Sequence, residues 1–227
     1  VAQRVLEIKP PVPADMRRTA WTVIAHTEFD RGAYDRAELA YQQVLALTDA
    51  KAATRAALTE RLAASVYKQG EQARKNDHQR EAVGHFLRVA QVAPAAAIRA
   101  TAEYDAAAAL IALKDWGAAA GVLEAFRRNY PKHALQAEIP GKLAVCYLEG
   151  GQPLKAANEF EAMAAGGKDL VARLSVTGLD DIGSIADDFN RILDVRHNET
   201  VEIRDATGHA NESWRALRDS VRDVVQK

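Results

Sequence analysis

Four times in this chain a turn gives way to a helix whose opening looks alike: Gly-Ala-Tyr-Asp-Arg-Ala (32–37), Asp-His-Gln-Arg-Glu-Ala (77–82), Lys-Asp-Trp-Gly-Ala-Ala (114–119) and Gly-Gln-Pro-Leu-Lys-Ala (151–156). The third residues, Tyr34, Gln79, Trp116 and Pro153, stand 45, 37 and 37 residues apart. A recurrence of that length, written in helical pattern, is the strongest constraint the sequence carries. Each unit is a pair of helices too small to bury its own apolar stripe, so neighbouring pairs must stack into an elongated array.

Composition agrees with closely packed helices. Hydrophobic residues make up 48% of the 227 but aromatics only 6%, so alanine and leucine must fill the interior. Strand formers are too few for a sheet-rich protein. With 30 basic against 31 acidic residues the net charge is −1, which leaves no nucleic-acid footprint and no acidic tail. No apolar run approaches the ~20 residues that span a bilayer. Val1 opens no cleavable signal pattern. A start at Val rather than Met fits a trimmed chain, so a leader or anchor is left open. Cys146 has no second cysteine to pair with, and is expected to be a small buried apolar residue.

Along the chain, Pro10, Pro11 and Pro13 force an extended lead-in over 1–14. Asp15 is a fitting N-cap for a first helix that runs to about Asp30, with Trp21 in the core. Helices are then expected over about 34–47, 51–75, 81–92, 95–113 and 116–129, with Ala37, Tyr41, Leu62, Val66, Phe86, Val89, Leu123 and Phe126 turned inward. Pro140 should stand at the first position of the next helix, and 153–165 closes the fourth pair.

The period near ~34 residues and the helix pairs resemble the tetratricopeptide (TPR) family over about 15–165. The run Phe126-Arg-Arg-Asn-Tyr130-Pro131, followed by Leu143-Ala-Val-Cys-Tyr147-Leu-Glu-Gly-Gly151, is similar to the periplasmic TPR proteins of Gram-negative envelopes, such as the Tol–Pal coordinator and the barrel-assembly lipoprotein. That resemblance implies an all-α right-handed solenoid and a bacterial periplasmic or envelope location, with the cytoplasm as the alternative. The repeat then fails, and 153–196 resembles a HAMP module: a helix, a connector with Gly178, a start at Asp180-Asp181-Ile182-Gly183 and the pair Phe189-Asn190. Ile182, Ile185, Phe189 and Ile192 keep a coiled-coil spacing, which makes them a packing or homodimer seam. The HAMP helix would be 153–165, the residues that the fourth TPR also needs. A dimeric signal relay, or an engineered fusion of the two modules, is therefore the rival to a scaffold. The tail, 197–227, ends in a helix striped by Trp214, Leu217, Val221 and Val224.

No catalytic motif is visible: there is no phosphate-cradling glycine loop, nucleophile elbow or zinc helix. Glu81 and His85 share a helix face but lack further ligands, and Asp180, Asp181, Asp187 and Asp188 read as helix-start and solvent-facing carboxylates. No metal or other cofactor is expected, and the chain reads as a non-enzyme whose partner is a protein or peptide. The TPR resemblance implies a concave groove lined by exposed residues of each first helix. Those residues are Thr22, His26 and Phe29 in the first repeat, Tyr67, Glu71, Arg74 and Lys75 in the second, and Tyr104, Ala108 and Ile111 in the third. Phe29 and Ile111 are equally suited to packing between repeats.

Overall fold

The computed structural model describes residues 1–165, and among these only helices and turns occur. A short helix α1 (Ala2–Leu6) leads into α2 (Ala14–Asp30) and α3 (Tyr34–Ala46). There follow α4 (Thr54–Lys75), α5 (Gln79–Val92), α6 (Arg99–Ala112) and α7 (Trp116–Asn129). A 3-10 turn (Ala134–Glu138) then runs into α8 (Ile139–Glu149) and α9 (Pro153–Ala165). Each helix packs on the next, so α2/α3, α4/α5, α6/α7 and α8/α9 are stacked pairs.

The repeat is written in the backbone more strictly than in the residues. Tyr34, Gln79, Trp116 and Pro153 are each the first residue of a second helix. Two positions before each stands a left-handed residue: Gly32 at φ 77°, Asp77 at 62°, Lys114 at 58° and Gly151 at 71°. The next amide then reaches back five residues. Ala33 N–H donates to the Glu28 carbonyl at 2.9 Å, His78 to Ala73 at 2.9 Å, Asp115 to Leu110 at 2.9 Å and Gln152 to Tyr147 at 2.7 Å. Each is the long bond of a Schellman turn, which satisfies a carbonyl left open at the end of the first helix. Only two of the four turns use glycine, and an L side chain in that region costs about 1–2 kcal/mol. Lys114→Gly is therefore expected to raise stability by about 0.5–1 kcal/mol after glycine's larger entropy loss is subtracted. The urea midpoint should rise with unchanged m-value, whereas Lys114→Ala, strained as lysine is, should leave it in place.

Alanine lets the helices approach and one or two large rings per layer fill what remains. Tyr41 is enclosed by Ala25, Ala37, Ala40 and Leu62 between α2, α3 and α4. Phe86 and Val89 lie among Ala63, Val66, Ala73, Ala82 and Ala102 between α4, α5 and α6. Phe126, Leu123, Ile139, Leu143, Phe160 and Met163 form the third layer, from α7 to α9. Ala156, Phe160 and Met163 of α9 are thus part of the solenoid core, where the fourth helix pair needs them. Cys146 is buried in the same layer, and that burial pushes its thiol up to about 11, far from the reactive thiolate form.

Polar locks cross between pairs. The Arg88 guanidinium (α5) grips the Glu38 carboxylate (α3) at 2.6 and 2.8 Å. Arg127 (α7) grips Glu159 (α9) at 2.7 and 2.9 Å.

Several boundaries differ from the sequence expectation. The lead-in is not wholly extended: Ala2–Leu6 is helical because the prolines act only from Pro10 onward. Asp15 lies in the first turn of α2, and Pro13 takes the cap position without a side-chain bond. Pro140 is the second residue of α8, still within the turn whose amides have no helical partner. α6 starts at Arg99, not near Ala95, because the Glu60 carboxylate of α4 takes the Ala97 N–H at 3.0 Å and holds 95–98 as a turn. Trp21 is half-buried at the edge of the first layer, whose centre Tyr41 occupies.

Candidate partner-binding face

Side chains from α4, α6 and α8 meet along the face that the first helices share. α4 places Tyr67 and Arg74 two turns apart on one side, and both reach Asp105 of α6. The Tyr67 hydroxyl donates to the Asp105 carboxylate at 2.5 Å, and Arg74 Nη1 donates to its other oxygen at 2.9 Å. The ring of Tyr67 leans on buried Phe86 with centroids 5.3 Å apart, and the Arg74 guanidinium covers the same ring at 5.3 Å. One residue before Asp105, Tyr104 turns the other way: its hydroxyl donates to the Glu138 carboxylate at the foot of α8. Lys142 Nζ stands 5.4 Å over the Tyr104 ring. Successive residues of α6 therefore tie α4 on one side and α8 on the other.

The electrostatics keep these phenols protonated. Burial raises the Tyr67 pKa above its ordinary value, and the bond to Asp105 raises it further; Tyr104 is shifted the same way, by burial and then by Glu138. Further along, burial pushes Tyr130 up to about 12, with the Glu103 carboxylate acting in the same direction. The rings are fixed donors and apolar ledges, suited to contact and not to proton transfer.

The other sequence-selected residues are placed as follows. Glu71 is paired with Lys68 at 2.6 Å, and Lys75 is exposed with no hydrogen-bond or ion-pair partner among the described residues. Thr22 is half-buried and its hydroxyl donates to the Arg18 carbonyl at 2.8 Å. His26 is exposed, its ring 5.8 Å from that of Tyr41, over the seam of the first pair. Phe29 is half-buried against Tyr34, edge to face at 5.2 Å, and Arg61 caps it at 5.9 Å. Ile111 packs on the third layer. Ala108 is half-buried. Asp105 joins Tyr67 to Arg74, Tyr104 before it on α6 is joined to Glu138, and no described contact ties the first-repeat residues to either group.

Asp105, Glu138 and Lys142 complete this face and are not selected by sequence reasoning. Asp105 follows Tyr104 directly, and a carboxylate set in an alanine-rich helix is the one local sign it gives. Among the described residues no three His, Cys, Asp or Glu side chains converge as a metal site, and no helix is long and apolar enough to cross a membrane. The candidate seam Ile182, Ile185, Phe189 and Ile192, with the rest of the HAMP-like segment and the tail, lies outside the described residues.

Over the described residues these features define an all-helical array of stacked helix pairs. No protein-family model matches the chain, and no curated protein matches it. Among solved structures it is similar to the crystal structure of MamA protein, at 16% identity and a TM-score of 0.38, over 63% of this chain and 88% of that one.

Proposed function

We propose that this chain is a non-enzymatic scaffold of the tetratricopeptide kind, which holds a segment of a partner protein along the face shared by its first helices. The observation that carries the reading is the row of Tyr67, Arg74, Asp105, Tyr104, Glu138 and Lys142, drawn from three successive helix pairs. Interlocked rings lose little freedom when a partner settles on them, and aromatic and basic groups carry most of the affinity in such contacts. The internal bonds of Arg74 and the two tyrosines set the shape of the face, while Lys75 and Lys142 supply its unpaired positive charge. An extended or helical segment with acidic residues beside apolar anchors is the partner of matching chemistry.

Arg74 is unsuitable for a charge-reversal test, because reversing it would set two carboxylates against each other at Asp105. Lys75→Gln with Lys142→Gln removes the unpaired charge, sets no new carboxylate beside Glu71 or Glu138, and leaves every described hydrogen bond in place. Peptides selected from a random display library on the wild-type chain should be rich in acidic and apolar residues. They should bind the double variant about tenfold more weakly or worse, with an unchanged melting curve. Selected peptides that bind both forms equally would place the binding surface elsewhere. An envelope location is part of the same proposal and rests on the 126–151 run; a tagged native copy recovered solely from cytosol would remove it.

A further inference from the structure

Away from that face, a cavity of about 220 Å³ opens where the first turn of α3, the end of α4 and the start of α5 come together. It is lined by Asp35, Gln69, Gln72, Ala73, Asn76, His78, Glu81 and His85. No lysine or arginine side chain lines it.

The hydrogen bonds around the rim decide which polar atoms are left over. Gln69 Nε2 donates to the Glu38 carboxylate at 2.7 Å, and Gln72 Nε2 donates to the Gly32 carbonyl at 2.9 Å. Those two partners can only accept, so the amides cannot be turned round, and the end of each without a protein partner is its carbonyl oxygen. Arg88 Nη2, which can only donate, lies 3.3 Å from His85 Nδ1. The His85 Nε2–H is thereby aimed at Glu81 Oε1, 3.6 Å away, while His78 Nδ1 approaches Glu81 Oε2 at 3.3 Å. The Glu81 carboxylate, 59% exposed, stands beside both imidazoles and keeps lone pairs free. Asp35 has no hydrogen-bond or ion-pair partner among the described residues. The unspent acceptors of the cavity include the Asp35 and Glu81 carboxylates and the Gln69 and Gln72 amide oxygens, on three helices, beside the Asn76 amide, unpaired among the described residues, and with no lysine or arginine among the lining side chains.

We propose that this cavity is a second binding site, for the guanidinium of an arginine side chain on a partner protein. A guanidinium carries five N–H donors in a flat fork, and several acceptors around one small volume match it better than they match a compact ammonium. The charge is met by Asp35 and Glu81, and the amide oxygens of Gln69 and Gln72 accept the remaining donors. The site lies at the helix turns and uses none of the residues of the first-helix face, so each stands or falls without the other.

The test is a titration of the isotope-labelled full chain, followed by backbone amide shifts, with N-acetyl-arginine amide as the probe. Saturable shifts are expected over 72–81 and at Asp35, with none from the neutral citrulline analogue and weaker binding by putrescine. Asp35→Asn with Glu81→Gln should weaken the arginine probe about tenfold or more. The absence of saturable shifts there, equal shifts from citrulline, or tighter binding of putrescine than of arginine each overturns the assignment, whatever the variant does. So does unchanged affinity in the double variant when its spectrum remains that of the folded chain.

Discussion

Phe86→Ala is expected to cost about 3–5 kcal/mol, as full truncation of a wholly enclosed ring does. Phe86 is 0% exposed and lies at the centre of the second layer, where α4, α5 and α6 meet. The ring sits directly on the backbone of α4: a Cβ placed on Gly70 would stand 2.6 Å from Phe86 Cε1 and 2.7 Å from Cδ1. This contact reverses the sign of an ordinary substitution. Inside a helix, glycine to alanine normally stabilises by about 1 kcal/mol. Here Gly70→Ala must push the ring aside and is expected to destabilise by about 1–3 kcal/mol. In a Phe86→Ala background the clash is gone, so adding Gly70→Ala should be neutral or should recover up to about 1 kcal/mol. Urea unfolding of the four proteins closes the cycle. Additive losses would show that ring and backbone do not meet in this way.

The two glycine roles show what the sequence made legible and what it did not. The four second-helix starts fall on the repeating landmarks because the turn before them is local, a left-handed residue and a short reach back, and local geometry recurs with the period. Gly70 belongs to no such period. It continues the stripe of Leu58, Leu62 and Val66 along α4, but that glycine alone fits there is set by a ring on α5, which the stripe does not show. The start of α6 is illegible for the same kind of reason: Ala95, Ala96 and Ala97 favour a helix, but a carboxylate from α4 takes the Ala97 amide. On the candidate face, Tyr67, Arg74 and Tyr104 were legible as aromatic and basic residues spaced along first helices. Asp105 and Glu138 were not, because an acidic residue on a helix reads as solvated until the helix beside it is known.

Glu38 was hidden in that way too, and its removal is expected to be the second-largest loss. It stands on α3 between inward-facing Ala37 and exposed Leu39, yet it is only 5% exposed itself. Arg88 binds it with both nitrogens at 2.6 and 2.8 Å, Gln69 Nε2 at 2.7 Å and Gln42 Nε2 at 3.2 Å. Glu38→Ala removes the acceptor shared by three donors and leaves the guanidinium uncompensated. Breaking a buried pair from one side costs about 3–5 kcal/mol, but the Arg88 side chain is 34% exposed and recovers part of its hydration, so about 2–3 kcal/mol is expected. Glu159→Ala is the comparison: it leaves behind Arg127, whose side chain is 43% exposed and reaches the carboxylate through one nitrogen, so less than about 1 kcal/mol is expected. The place of the damage is the sharper test. In a stacked array each pair leans only on its neighbours, and Glu38 joins the first pair to the second. Hydrogen exchange should therefore show α2 and α3 losing protection first in Glu38→Ala, while α6, α7 and α8 keep theirs. A uniform loss along the described helices, or a cost under about 1 kcal/mol, would mean that the layers unfold as one body and that this bridge does not hold the first pair in place.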